Sequence, residues 1–260
     1  MIQSVDRAIR ILQTLAAGPG RLGVSELSQQ LGLAKTTVHG LLRTLQAHGL
    51  VEQSADSDKY QLGAELLPLS YRYLDLNDLR SRSLMWADHL VTRSGESVRV
   101  GVLHGGRILI VHHAFRPDSS LQILEVGDLL PLHATALGKA VLANLPDDVR
   151  DDLLEGDLPR LTGHTHTGRD ELARDLAATR DQGFAVEREE AILGEASLAA
   201  AIFDRRGLPI GAVGIAGPPE RVLDPSAQRD AAAAVMEAAR GVSRDLGADY
   251  RSAGSAASSA

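Results

Sequence analysis

The sequence predicts an α+β protein in two parts: short helices with a β-hairpin, then an antiparallel sheet packed with helices. Three observations lead there. Residues 4–47 repeat apolar side chains at helical spacing, interrupted by glycine turns. From residue 97 the apolar period drops to two, as in half-buried strands. Charge is also unevenly divided: residues 1–63 hold six Lys/Arg and five Asp/Glu, leaving 21 and 29 for the remainder. A near-neutral segment ahead of an acidic one sets a boundary near residue 63.

The elements follow in order. Segment 4–16 puts Val5, Ala8, Ile9, Leu12 and Leu15 on one helical stripe, and Gly18-Pro19-Gly20 stops it. Ser25 is placed to cap a second helix, with Leu27 and Leu31 inward and Val24 as a hydrophobic staple. Gly32 supplies a sharp turn. A third helix starts near Lys35, with Val38, Leu41, Leu42 and Leu45 inward, and Gly49 ends it. LVEQ and YQLG flank the polar SADSDK and read as a hairpin, so residues 1–63 form a winged helix-turn-helix. Helical spacing returns over 64–93 through Leu66, Leu69, Tyr73, Leu76, Leu79, Leu84 and Leu90, with 64–78 as a linker helix.

The second domain spans 79–248. Val98, Val100 and Val102 alternate, Gly105-Gly106 turns the chain, and Ile108 and Ile110 resume the alternation. SLQILEVG (120–127) reads as a further strand. TALGKAVLANL, PDDVRDDLLEG and GRDELARDLAATRDQG read as helices, FAVE as a strand. SLAAAIFDRRGLPIGAVGIAG reads as a hairpin turning at Asp204–Gly207. A long helix closes the domain, and the low-complexity 249–260 is expected to be a disordered tail.

Composition removes several function classes. Cysteine is absent, which excludes disulfides and thiolate chemistry. No run approaches the ~18 apolar residues of a membrane span. The start MIQSVDRAIRIL lacks a signal-peptide pattern, so a cytoplasmic protein without membrane contact is expected.

The third helix carries the clearest chemistry. Opposite its buried stripe stand Lys35, Thr36, Thr37, His39, Gly40, Arg43 and Thr44, a short polar and cationic face. Threonines and backbone N–H groups at a helix start can bond phosphates. Gly40 allows close backbone approach, and Arg43 can fork onto guanine. Ser25 joins this surface, and Lys59 on the wing can reach a phosphate or the minor groove. Double-stranded DNA is the partner these features imply, and a protein-contact module is the bland alternative.

Other constellations carry less. The glycines of GAVGIAG (211–217) lie within a strand pattern with no helix behind them, which excludes a phosphate cradle. His164 and His166 in TGHTHTG read as a solvated loop, so no metal is expected. Ser197 with Glu187 has no nucleophile elbow around it, so no enzyme and no cofactor are expected. Two stretches do look like pocket walls. In 129–140 the backbone N–H groups of Thr135–Gly138 open a helix toward an anion. EREEAILGEAS (187–197) runs into the central hairpin.

QSVDRAIRIL, ELSQQLGLAKTTVHGLLRTL, LPLHATALGKA and GEASLAAAIFDRRGLPIGAVGIAGP together resemble the IclR-type transcriptional regulators, over residues 2–248. The resemblance implies a winged helix-turn-helix, a linker helix and a GAF/PAS-like effector domain, assembled as homodimers or dimers of dimers on a pseudo-palindromic operator. It also implies an effector site at Ala136 and Leu137, Glu187, Ser197, Gly214 and Ala216. The cysteine frequent at one family position is Ser197 here, and two hydroxyl positions are Gly214 and Ala216. The ligand would then be larger than a small keto acid, or polar anchoring would fall to Arg99, His133 or Lys139. LRSRSLMWADHL and ARGVSRDLGA are similar to the glycerol-operon branch, which implies a repressor in glycerol metabolism answering to a metabolite such as glycerol 3-phosphate. A small-molecule-processing enzyme with a winged-helix appendage is the competing reading.

Overall fold

The computed structural model describes residues 1–75 and 77–248, and the chain divides into two compact units at Leu76/Asn77. The expected tail 249–260 and Leu76 lie outside the described residues.

The first unit opens with α1 (Gln3–Ala17), β1 (Leu22–Gly23), α2 (Val24–Leu31) and α3 (Lys35–Ala47). β2 (Val51–Gln53), β3 (Lys59–Leu62) and α4 (Leu66–Asp75) complete it. Helix α1 rotates away from the expected stripe. Ile11 and Leu15 are buried, with Ala8 and Leu12 against the same core, while Val5 and Ile9 face outward. The core joins Leu27 and Leu31 of α2, Val38, Leu42 and Leu45 of α3, and Tyr60 of the hairpin. Leu41 is only half-buried at its edge. Gly32 holds φ +65° between α2 and α3, the left-handed turn for which glycine carries no steric cost.

Two expectations fail here for local reasons. Ser25 does not cap α2. The N-cap is Gly23, whose N–H donates to the Glu26 carboxylate at 2.6 Å, so the cap reaches backward from inside the helix. The wing also gains an unexpected strand, because β1 pairs antiparallel with β3 to give the order β1-β3-β2.

The second unit begins with α5 (Asp78–Ser94), β4 (Ser97–His104), β5 (Arg107–Ala114), β6 (Leu129–Leu130) and α6 (Ala136–Asn144). After α7 (Asp147–Leu153) and α8 (Arg169–Gln182) come β7 (Ala185–Arg188), β8 (Ala196–Phe203) and β9 (Pro209–Gly217). α9 (Pro219–Val222) and α10 (Gln228–Asp245) close it. The continuous helical spacing of 64–93 is two helices. Asn77 ends the run as an N-cap, its side chain accepting from the Arg80 N–H at 2.9 Å.

The strands form one antiparallel sheet of order β6-β5-β4-β9-β8-β7. The expected strand at 120–127 is absent. That segment is a loop leaving Leu121, Ile123 and Leu124 exposed, and pairing with β5 falls to Leu129 and Leu130. No described helix is long and apolar enough to cross a membrane. The chain is therefore α+β, with a winged helix-turn-helix ahead of an antiparallel-sheet domain.

Helix α6 is buried on every side from Ala136 to Ala143. It packs on Ala199, Ala201 and Ala212 of the central strands, small residues that let it approach closely. A side chain at Gly138 would collide with the Leu132 backbone, so glycine is required where the incoming loop crosses. Inside this apolar helix Lys139 has no exposed surface, and its Nζ pairs with Asp175 at 2.6 Å and Glu190 at 2.7 Å. Removing one partner from a buried ionic group leaves the others unpaired in low dielectric, typically costing about 3–5 kcal/mol. Lys139→Met should therefore lose about that much stability despite its similar size, measured by chemical denaturation. A loss below about 1 kcal/mol would show that the triad is dispensable.

Candidate functional site

The first unit presents a polar face on α3. Lys35, Thr36, His39, Gly40, Arg43 and Thr44 are exposed, while Thr37 is half-buried at the edge. No atom lies within 4 Å of the place a Gly40 side chain would occupy, so the backbone there is open to a close partner. The Thr44 hydroxyl donates to the Gly40 carbonyl at 3.2 Å and so is already engaged. Ser25 is exposed in the first turn of α2. Lys59 is not free on the wing: its Nζ pairs with Glu26 at 3.3 Å, both half-exposed. The Gly23 N–H, and then Lys59, hold the Glu26 carboxyl below its ordinary range. Arg21 at the wing root went unnoticed in the sequence. It donates to Gln61 at 2.8 Å, across 40 residues of chain.

The second unit encloses a cavity of about 250 Å³. Seven of the eight expected effector residues line it: Thr135, Ala136, Leu137, Glu187, Ser197, Gly214 and Ala216. Gly138 does not, because it is pressed against Leu132 and its N–H donates to the Thr135 hydroxyl at 3.2 Å. That hydroxyl also donates to the Pro131 carbonyl, so Thr135 caps α6 rather than facing a ligand. Ala136 and Leu137 line the cavity from the first turn of α6, where backbone N–H groups have no carbonyl partner within the helix.

Two of the expected alternative anchors are elsewhere. His133 meets the Pro159 carbonyl through Nε2, and Lys139 is committed to Asp175 and Glu190. Arg99 does line the cavity, but it is already paired. Glu195 receives bonds from its two terminal nitrogens at 2.7 and 2.8 Å, and Glu125 a third at 2.7 Å. Burial disfavours the Arg99 charge, yet these carboxylates outweigh burial and raise its pKa. Opposite Arg99 in the sheet, His113 is held down to about 4, by burial first and then by the guanidinium. Its Nδ1 accepts the Glu125 N–H at 3.3 Å.

Glu125, Asp128 and Glu195 also line the cavity, with Ile123 and Ile192 from exposed loops. Glu195 falls inside the 187–197 stretch that the sequence marked as a wall. Nothing in the local pattern marks Glu125 or Asp128, whose place depends on how 115–128 folds back. The cavity lining thus holds one guanidinium and four carboxyl groups, Glu187 included.

Glu187 is almost wholly buried. One oxygen accepts from Ser197 Oγ at 2.8 Å, and the other from the Glu190 and Ala191 N–H groups at 2.7 and 3.4 Å. The loop holding those amides keeps Glu189 at φ +56°, a strained conformation for a side-chain-bearing residue. Burial pushes the Glu187 carboxyl up to about 7, partly opposed by these hydrogen bonds. Its folded pKa thus lies above the ordinary 4.5, so this group's stabilising proton is held at low pH and lost as pH rises through about 7. Glu187→Gln cannot titrate. Between about pH 5 and pH 8 the wild type should lose melting temperature relative to this variant. Parallel melting curves across that range would contradict the buried-carboxyl assignment.

Comparisons with known proteins fit both halves. The IclR helix-turn-helix domain model matches residues 4–55, and the model for the bacterial transcriptional regulator IclR C-terminal domain matches 71–244. The chain is 51% identical over 248 residues to the glycerol operon regulatory protein of Streptomyces coelicolor, covering 95% of this chain and 97% of that one. The protein of the same name from Streptomyces griseus is 50% identical over the same coverage. Among solved structures, an IclR regulator from Alicyclobacillus acidocaldarius aligns with a TM-score of 0.83 at 27% identity, over 95% of this chain and all of that one. Two domain models in the right order, a relative matched over nearly its whole length and a polar helix face on a winged fold agree. The chain belongs to the IclR family of DNA-binding transcriptional regulators.

Proposed function

We propose that this regulator is an operator-binding repressor of glycerol use, controlled by a small polyol or polyol phosphate in the 250 Å³ cavity. The carrying observation is the exposed row Lys35, Thr36, His39, Arg43 and Thr44 opposite a fully buried stripe on α3. Such a helix enters the major groove while α2, with Ser25, lies over the backbone. The two Streptomyces relatives are named as glycerol operon regulators, and the competing enzyme reading finds no support among the relatives.

One winged unit with so few cations reads few base pairs, so a two-fold pair on a pseudo-palindrome is proposed, with half-sites ~10–10.5 bp or a multiple apart. Met1, Ile2, Val5 and Ile9 near α1, and Leu67, Leu69 and Tyr73 on α4, expose apolar surface suited to that pairing. Effector and operator would then favour different arrangements of the pair, each weakening the other by the same factor.

For the effector, a phosphate would sit at the Ala136 and Leu137 amides, with hydroxyls toward Ser197 and Glu187. The four carboxyl groups favour a second reading, glycerol itself, whose hydroxyls donate and carry no charge. Calorimetry with each ligand separates them. Ala216→Leu should fill the cavity and weaken binding by roughly tenfold or more, leaving operator affinity unchanged. Equal binding in both proteins would place the effector elsewhere.

On the DNA side, Arg43→Ala should cost about 1–3 kcal/mol and relax one base preference. Lys59→Ala should weaken all sequences alike and lower the salt slope by about 1. Gel shifts across a salt series check both, and unchanged affinity in both variants would remove α3 and the wing from the interface.

A further inference from the structure

The histidine loop does not behave as a solvated segment. Thr165 is buried, accepts the Leu161 and Thr162 N–H groups at 3.0 and 2.8 Å, and donates to the Glu190 carbonyl at 2.7 Å. The Thr162 hydroxyl donates to the Glu189 carbonyl at 2.6 Å. The loop is thereby pinned on the wall of the effector cavity, and His164 and His166 part company. His164 stays exposed, whereas the His166 ring turns inward.

There His166 meets Asp175 of α8 and Glu190 of the 188–195 loop. Its Nδ1 lies 3.6 Å from Asp175 Oδ2 and 4.0 Å from Glu190 Oε2, and these three ligand atoms lie within 4.8 Å of one another. Both separations are too long for a hydrogen bond. They exceed by a few tenths of an ångström the roughly 3.3–3.4 Å between two ligands that each bind a tetrahedral zinc ion at 2.0–2.1 Å, so the three groups would draw together slightly on binding. Two of these atoms are buried without a partner: His166 Nδ1 and Glu190 Oε2. Glu190 is 5% exposed, so that oxygen has no recourse to solvent. Its other oxygen is held by Lys139, which aims the free one at the ring.

We propose that His166, Asp175 and Glu190 form a binding site for a divalent first-row metal ion of the zinc type. The ligands are His166 Nδ1, the unpartnered Glu190 Oε2 and an Asp175 carboxylate whose Oδ2 also accepts from Lys139 at 2.6 Å, with water in the fourth position. Glu171 supports the assignment from outside. Its carboxylate lies 3.6 Å from His166 Nε2, beyond hydrogen-bond distance but near enough for its charge to favour the proton on Nε2, which leaves Nδ1 free to ligate. Charge agrees as well. Asp175, Glu190 and Glu171 face a single ammonium, Lys139, which leaves two negative charges for a dication to offset.

The ion would clamp three separate segments: the 157–168 loop, α8 and the 188–195 loop. Glu190 also donates its N–H to Glu187, so the clamp acts on a residue lining the effector cavity. The role is structural, because all three protein ligands come from packed segments and the family's function needs no chemistry there.

The test uses the full chain, stripped by chelator and titrated with Zn²⁺ by calorimetry and with Co²⁺ by absorption. One saturable equivalent per chain is expected, with the visible bands of a four-coordinate cobalt site. His166→Ala and Glu190→Gln should weaken it by roughly tenfold or more. His164→Ala, two residues away and exposed, should keep it. Zinc should raise the melting temperature of wild type and His164→Ala, and leave His166→Ala unmoved. Should Glu190→Gln fail to fold by circular dichroism, His166→Ala decides, since that ring is partly exposed. Absence of a saturable equivalent in wild type, or unchanged affinity in His166→Ala, overturns the proposal.

Discussion

An ammonium with no exposed surface must be neutralised where it stands, and Lys139 stands in the middle of an otherwise apolar helix. Its two carboxylates come from α8 and from the loop after β7, so the charge requirement gathers both around α6. Those contacts set the position of the α6 N-terminus, whose residues Ala136 and Leu137 line the cavity. They also set Glu190, whose backbone N–H holds Glu187. The cavity is thus shaped from behind by an ion network that takes no part in lining it. A purely hydrophobic replacement would not specify which segments meet, because apolar contact has no direction.

Within the cavity nearly every polar group already has a protein partner. Arg99 is shared by Glu125 and Glu195, and Ser197 is bonded to Glu187. A ligand arriving there exchanges existing hydrogen bonds for new ones, and only the difference appears as affinity. This suits a sensor that must release its signal when the metabolite falls. The wing follows the same logic, since Lys59 is paired with Glu26 and any other anion must displace that carboxylate. Both units keep their working groups paired until a better partner arrives.

The parts of the structure written in local periodicity were legible. Buried positions of α2 and α3, the Gly32 turn and the hairpin 196–217 all follow from spacing and glycine chemistry. The resemblance reached six of the eighteen residues that line the cavity: Ala136, Leu137, Glu187, Ser197, Gly214 and Ala216. What escaped depends on contacts distant in sequence or on two residues competing for one role. Glu26 serves the start of α2 in place of Ser25, one oxygen on the Gly23 N–H and the other on Lys59, a residue 33 positions away. Leu121, Ile123 and Leu124 carry strand-like side chains, yet only the two-residue Leu129–Leu130 finds an edge on β5. Asn77 looked like one polar residue in a helix and was instead a start signal. His166 looked solvated because nothing in TGHTHTG reveals the two threonine hydroxyls that fold it inward.

The missing side chain at Gly214 limits how this sensor can diverge. A Cβ there would run into the Leu198 carbonyl and Ala199 on the adjoining strand, so any larger residue must first part β8 from β9. Two positions farther along, Ala216 already carries a Cβ and borders the same cavity. The shape of the cavity is therefore open to single substitutions at Ala216, Ser197 or the loop residues Ile123 and Ile192, and closed at Gly214. A lineage of such sensors would vary along the rim and one strand end, and keep glycine at the centre of the sheet for reasons of backbone geometry alone.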